Sequence, residues 1–567
     1  MKNKKIKQIC FFMILLFSVI LTGCSERITG LEYTIVYDSQ GGTVIPAYSG
    51  DLMNSMPIPS KDGFTFEGWY EDKDFFGKRI SFPYIIQKDV ILYAKYIDNN
   101  KGNEELVYNK VDNAFEVTHY NGDSYVIYIP EMHNGLPVIR LCENFINNFY
   151  STTVLYISKN VTEIKEKLYY NKRLSTINVS GNSQSFSSQD GILYNKDRST
   201  LVCYPSGRRE KTFTIAEETT EIANYAIRNN IYLEKIIIPS GVYISDRGMY
   251  DLSKLREVKV AEDNQAFCDV NGVLFDKNKE NLLFFPPNHK EKNYTVPETV
   301  KLIDEQAFYN CAIEEITLGA NLERNPNFTS CKNLKSIEIA AENTLFKSVD
   351  GVLFDKTGRN LINFPSNKAA DKDGSYYLPT GTKKITSFAF SEVRNIRNLY
   401  LNGEFSCFEA FAFSGENSVE KIIAESEIIL QTIEGGAFSG LKKLTEFRLF
   451  CRVPPALSQG EFDNCPYELR IYVPENMRGL YEVVWSEYAD KLYIIQAMTN
   501  YTVTFYTQGG SFVGNVTAGY IINEPIPEMS GYKFLGWYDN AQGTGKKYTF
   551  PMAIRENISL YAAWELL

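Results

Sequence analysis

The sequence predicts a mainly β chain: a solenoid of stacked coils with β-hairpin inserts, flanked by two small copies of one β module. Three observations predict it. Aromatics make up 14% of the 567 residues, with 38 Tyr and 36 Phe, types that suit half-buried sheets. Residues 33–96 align without a gap to 501–564, with 21 of 64 positions identical. Between these copies, apolar residues recur at a short period of 23–25 and a long period of about 80. The chain is too long for a single core. Its 44% apolar and 23% charged content is that of a folded protein. A formal charge of −10 argues against a nucleic-acid partner.

The chain begins with a basic segment, Lys2, Lys4, Lys5 and Lys7, followed by an uncharged 13-residue run from Ile9 to Leu21. That is the pattern of a signal peptide and short for a membrane span. The next residues, Leu21-Thr22-Gly23-Cys24, resemble the bacterial lipobox. The resemblance implies removal of residues 1–23, a diacylglycerol on Cys24, and export. The chain is then lipid-anchored to the bacterial cell membrane and exposed at the cell surface, since two acyl chains anchor stably. Removing four lysines and no acid takes the charge from −10 to −14. Ser25–Gly30 is a short tether into the first domain, which spans residues 24–98.

The shared residues of the two end modules carry their shape. Gly41-Gly42 matches Gly509-Gly510, a turn after the first strand. Pro57-Ile58-Pro59 matches Pro525-Ile526-Pro527, and Phe66-x-Gly68-Trp69-Tyr70 matches Phe534-x-Gly536-Trp537-Tyr538. Phe82-Pro83 and Leu92-Tyr93-Ala94 recur as Phe550-Pro551 and Leu560-Tyr561-Ala562. So small a unit needs large aromatics to fill its core, and Trp69 and Trp537 are the plugs. This pattern resembles the Listeria–Bacteroides repeat, or internalin-type B repeat. The resemblance implies a β-grasp-like fold for each end domain, the second spanning residues 501–567. Gly543-Thr-Gly-Lys546-Lys547 is not a phosphate loop, because Asn540 stands where Gly is required and no Ser or Thr follows Lys546. Gly77-Lys78 marks the same repeat turn in the first copy.

Residues 104–497 hold both periods. Gly191-Ile-Leu-Tyr-Asn-Lys, Gly272-Val-Leu-Phe-Asp-Lys and Gly351-Val-Leu-Phe-Asp-Lys lie 81 and 79 residues apart. Each is followed by a second apolar run ending at Pro205, Pro286 or Pro365, which reads as a hairpin. Ala389-Phe390, Ala412-Phe413, Ala437-Phe438 and Glu461-Phe462 mark the short period. Between them runs an apolar rhythm such as Leu334-x-x-Ile337-x-Ile339. One short strand per repeat cannot bury its own face, so the repeats stack into one parallel sheet over a continuous core. The Phe of each pair plugs that core from the other side of the coil. Tyr225-Ala226-Ile227 and Asn325-Pro326-Asn327-Phe328 depart from the pattern. The spacing, plug and hairpin resemble BspA-like leucine-rich repeats. Leu106–Pro137 looks like the lead-in of such a solenoid, and Tyr472–Tyr488 like its closing cap.

Chemistry-bearing residues are sparse. Eight cysteines remain beyond the signal and Cys24, without a C-x-x-C, so neither a zinc site nor a redox pair is expected. Cys311, Cys331 and Cys465 recur in Phe-x-x-Cys and read as one small buried repeat position. His119, His133 and His289 have no companion motif and read as surface or structural groups. Asp371-Lys-Asp-Gly374 reads as a solvated turn and not a calcium loop. No catalytic motif is present, so the chain is expected to be no enzyme and to need no cofactor or metal.

The family resemblance implies a concave binding face at the outward strand positions. These include Glu234, Lys235, Arg256, Glu257, Glu314, Glu315, Lys335, Arg397, Tyr400, Glu420, Lys421, Glu446 and Arg448. It implies an adhesin-like role, with an extracellular protein or glycan as partner and membrane contact only through the N-terminal lipid. The alternatives are a stalk presenting the C-terminal repeat, or a surface hydrolase using unmarked carboxylates.

Overall fold

The computed structural model describes residues 33–76, 79–143, 145, 151–165, 167–244, 248–495, 501–518, 521–522, 524–550, 552–553 and 557–567. The signal segment, Cys24, the Ser25–Gly30 tether and Gly77-Lys78 lie outside them. The chain divides into two units, Met1–Arg208 and Arg209–Leu567.

Each end module is a four-stranded mixed sheet. In the first, the strand order is Tyr48–Gly50, Tyr33–Asp38, Val90–Asp98, Phe64–Tyr70, with the central pair parallel. The second repeats it with Val516–Ala518, Tyr501–Tyr506, Ile558–Leu566 and Tyr532–Tyr538. Trp69 and Trp537 are fully buried. Their ring N–H groups donate to the carbonyls of Pro57 and Pro525, both at 2.7 Å. The shared Pro-Ile-Pro is thus the acceptor that lets a tryptophan be buried without an unmet donor. A side chain at Gly42 or Gly510 would collide with the ring of Tyr96 or Trp564, which explains the second Gly of each pair.

The two copies differ where the first meets the solenoid lead-in. Glu67, Arg79 and Lys95 stand where the second copy has Leu535, Lys547 and Ala563. Glu67 is 2% exposed. It accepts from the hydroxyls of Tyr70 (3.1 Å) and Ser124 (2.8 Å) and pairs with Lys95 (3.0 Å). The Arg79 guanidinium lies 4.8 Å from the centre of the Tyr125 ring. Burial, with Glu67 adding to it, raises the Tyr70 phenol above its ordinary pKa.

In the first unit the lead-in hairpin, Leu106–Val111 with Ala114–Tyr120, precedes a parallel sheet of Val126–Tyr128, Val154–Ile157 and Thr176–Val179. In the second unit this series continues as three parallel sheets, beside a separate parallel ladder of two-residue strands, Lys384–Ile385, Cys407–Phe408, Thr432–Ile433 and Ala456–Leu457. Thr212–Thr214, Lys235–Ile238 and Glu257–Val260 form one. Asn293–Thr295, Glu315–Leu318 and Ser336–Ile339 form the next. Six strands make the last: Ser375–Tyr377, Asn398–Leu401, Lys421–Ala424, Glu446–Arg448, Arg470–Pro474 and Leu492–Ile495. A cap follows the pattern expected of it: helix Arg478–Val484 leads into buried Trp485, whose ring N–H donates to the Pro455 carbonyl at 2.9 Å.

The core is the expected plug ladder. Phe364, Phe390, Phe413, Phe438 and Phe462 are buried, with successive ring centres 4.5, 5.2, 5.7 and 5.2 Å apart. That interval is close to the strand spacing of a sheet. Ile227 and Phe328, in the coils that depart from the pattern, are buried as well. Two residues after Phe308, Phe328, Phe390, Phe413, Phe438 and Phe462 the chain turns through a left-handed residue: Asn310, Ser330, Glu392, Gly415, Gly440 and Asn464 all have positive φ, between 55° and 88°. In three coils a cysteine follows this turn. The thiols of Cys311, Cys331 and Cys465 donate to the carbonyls of Phe285, Phe308 and Phe438 at 3.2, 3.0 and 3.3 Å. Cys311 and Cys331 are buried and Cys465 is half-buried. Burial pushes the Cys331 thiol up to about 12. All eight described cysteines are free.

One expectation is corrected. The parallel strands do not form one sheet; each hairpin insert ends a sheet. The turn carbonyls of Gly191, Gly272 and Gly351 accept the N–H groups of Ile177, Val258 and Ile337, each at 2.9 Å. The insert therefore occupies the place that a next strand would take.

Phe438→Ala removes the middle of the plug ladder, and chemical denaturation should show a loss of about 3–5 kcal/mol. Ser330→Gly relieves a left-handed L-residue and should gain about 1 kcal/mol in the same assay.

Candidate functional site

In parallel, in-register strands, equivalent positions of successive coils lie side by side. Like charges stacked there repel and opposite charges attract. The thirteen expected residues fall on three separate sheets, and eight of them follow this rule as four opposite-charge pairs between successive coils. On the first, Lys235 pairs with Glu257 at 2.5 Å, and Glu234 with both Lys211 (2.9 Å) and Arg256 (3.5 Å). The hydrogen bond from Lys211 holds the Glu234 carboxyl below its ordinary pKa. On the second, Lys335 pairs with Glu314 at 2.6 Å, lowering the carboxyl and raising the ammonium. On the third, Glu446 pairs with Lys421 at 3.1 Å and with Arg448.

Two of the thirteen are not outward recognition groups. Tyr400 is 8% exposed and Glu446 is 9% exposed. The Tyr400 ring stacks on Tyr377 of the preceding coil, centres 4.4 Å apart, and Glu446 is enclosed by its two cations. Rows of identical register let a long side chain lie on its neighbour and bury it. Among the described residues, Glu315, Arg397 and Glu420 form no ion pair. Glu315 and Arg397 are exposed and Glu420 is half-exposed.

The inserts add groups that strand periodicity does not reveal. After each insert a polar side chain staples the turn back onto the coil. Arg208 donates to the Asp190 carbonyl. Lys368 donates to the Asp350 carbonyl at 2.5 Å and pairs with its carboxylate at 3.0 Å. In the middle insert the same place holds His289, which is 2% exposed. Its Nε2–H donates to the Asn271 carbonyl at 2.9 Å, and its Nδ1 accepts from the Glu291 N–H at 3.3 Å. The expectation of a structural histidine thus has a partner set. Its signal in the sequence is the shared offset from Pro205, Pro286 and Pro365: three residues in each case. His133 is also structural, stacked 3.8 Å from the Tyr108 ring, and burial lowers its pKa.

The middle insert and the Lys235/Glu257 sheet enclose an open groove of about 920 Å³. Lys235, Arg256 and Glu257 from the expected set line it, joined by Lys259, Asp269, Lys279 and Lys290. A second groove of about 730 Å³, at the turns of later coils, is lined by Arg394, Glu416, Lys442 and Lys443 among others. Among the described residues no group of three or more His, Cys, Asp or Glu is placed to hold a metal ion.

A family model described as a BspA type leucine-rich repeat region matches residues 134–194, 206–272, 284–377 and 374–488, more than half of the chain. The chain belongs to the BspA-type leucine-rich repeat family. A second model, the Listeria–Bacteroides repeat domain, matches residues 33–95 and 501–563 of this BspA-type chain. A leucine-rich repeat protein from Eubacterium ventriosum is similar at 20% identity, covering 66% of this chain and 92% of that one, with a TM-score of 0.32. A leucine-rich cell surface protein from Faecalibacterium prausnitzii aligns at 16% identity over 67% and 96% of the two chains, TM-score 0.28. In sequence, a protein of Evansella cellulosilytica named "Putative membrane protein" is 43% identical over 79 residues, 13% of this chain. The chain covers only 12% of that relative's length.

The staple can be tested by exchange. His289→Ala should destabilise the chain by about 1–3 kcal/mol, since the buried ring and its two hydrogen bonds, to the Asn271 carbonyl and from the Glu291 N–H, are lost. His289→Lys combined with Asn271→Asp rebuilds the Lys368–Asp350 arrangement and should recover most of that loss in thermal unfolding.

Proposed function

We propose that this BspA-type chain is an exported surface lipoprotein, anchored through Cys24, that binds an extracellular protein or glycan through the outward strand positions of its solenoid and does no chemistry. The observation that carries this reading is the set of in-register polar rows on the parallel sheets. Paired charges line much of each row, and Glu315, Arg397 and Glu420 form no ion pair among the described residues. Rows with unpaired charges of both signs favour oriented recognition. The repeats matched by the leucine-rich repeat model supply stacked surface, which supports binding.

The test is a binding array of extracellular proteins, glycans and cell-wall fragments probed with residues 25–567. A saturable hit should weaken by about tenfold or more when Glu315, Arg397 and Glu420 are reversed together, three solvent-facing charges worth up to about 1 kcal/mol each. The hit should survive deletion of residues 501–567. Survival of the reversal with loss on the deletion would instead make the solenoid a stalk.

A further inference from the structure

The groove at the middle insert has a composition unlike the chain around it. Five cations line it (Lys235, Arg256, Lys259, Lys279 and Lys290) against two carboxylates, Glu257 and Asp269, in a chain of net charge −10. Two of the cations are spent within the groove, Lys235 on Glu257 and Lys259 on Asp269, the latter at 3.1 Å, and Arg256 is shared with Glu234 at 3.5 Å. Lys279 and Lys290 are exposed and, among the described residues, form no ion pair. They sit on the hairpin turn and just past the hairpin, facing a sheet whose outward side chains are charged. The groove is thus a concave, cationic site with hydrogen-bond acceptors inside it.

The backbone narrows the ligand class. A peptide that adds a strand needs free N–H and C=O groups at a sheet edge. At this edge the Val258 N–H is taken by the Gly272 carbonyl at 2.9 Å and the Val260 N–H by Asp269 Oδ1 at 2.8 Å. Along this strand the N–H groups that a peptide would need are therefore taken, and the groove offers it charged side chains instead. Its free donors are ammonium groups, which call for anions. Its carboxylates only accept, and Glu257 has acceptor capacity left beyond Lys235, which calls for hydroxyls.

We propose that this groove binds an acidic polysaccharide, whose sulfate or carboxylate groups meet Lys279, Lys290 and Arg256 and whose sugar hydroxyls donate to Glu257. The inference rests on the reading of the chain as a surface binder and assigns one ligand class to one place on it.

The experiment measures binding of residues 25–567 to heparin, polygalacturonate, neutral dextran and polyglutamate at low and raised salt. The variants are Lys279→Glu/Lys290→Glu in this groove and Lys442→Glu/Lys443→Glu in the other basic groove, each checked for an unchanged unfolding midpoint. The expected result is saturable, salt-weakened binding to heparin or polygalacturonate, with dextran and polyglutamate weaker. Heparin alone identifies sulfate as the anion, and polygalacturonate alone identifies carboxylate. The first variant should bind about tenfold more weakly, from two exposed charges reversed, and the second should bind like the parent. Absence of saturable binding to both acidic polysaccharides, equal loss in both variants, or polyglutamate binding as tightly as either polysaccharide would each overturn the proposal. Glu315, Arg397 and Glu420 do not line this groove, so failure here leaves the array result on the strand face standing as a separate outcome.

Discussion

Each regular coil of this solenoid depends on delivering an aromatic or aliphatic plug to the interior from the side opposite its strand. A strand of four residues has two inward side chains and cannot close a core alone. The plug closes it, and rings such as Phe390, Phe413 and Phe438 touch from coil to coil. Much follows from that demand. The chain must bend sharply after the plug, so a left-handed residue stands two positions on. The bend exposes the preceding coil's plug carbonyl to a nearby side chain, and Cys331 and Cys465 supply thiols for it. The outward positions are then forced into register, and they meet either as opposite charges, as in Lys421 beside Glu446, or as stacked rings, as in Tyr377 beside Tyr400.

Hairpin inserts interrupt this repetition and cap the strand that they follow. A parallel sheet that stops presents unpaired backbone groups, a template for pairing with other chains. Here each insert folds its own turn carbonyl onto the last strand and staples the turn with Arg208, His289 or Lys368. The interruption also makes the surface uneven. A flat charged sheet becomes a charged groove where the middle insert stands over the Lys235/Glu257 strands. Edge protection and groove formation are therefore two results of one structural device.

Much of this was legible in the sequence because repetition amplifies weak signals. A single Ala-Phe means little, whereas four pairs at 23–25 residues fix the plug and the period. The tryptophan of each end module could be assigned to the core from its recurrence, but its partner could not: Pro57 and Pro525 lie 12 residues away in sequence and meet the ring only in the fold. The candidate surface was legible as strand positions and not as a site. Periodicity says which side chains face outward; it does not say that Tyr400 will lie under its neighbour, or that a hairpin will stop the sheet after Val260. Lys279 and Lys290 were missed because they belong to an insert, where strand periodicity does not apply. The signal that could have found them is the 80-residue period, which aligns His289-Lys290 with Arg208-Arg209 and Lys368.

The claim on which the architecture and the groove both rest is that each insert closes the sheet it follows. Amide hydrogen exchange on residues 25–567 tests it directly at Ile177, Val258 and Ile337. The account predicts that these three edge amides are protected to the level of strand interiors such as Ile422, because Gly191, Gly272 and Gly351 hold them. Exchange at these positions as fast as in exposed loops would show open sheet edges and contradict it.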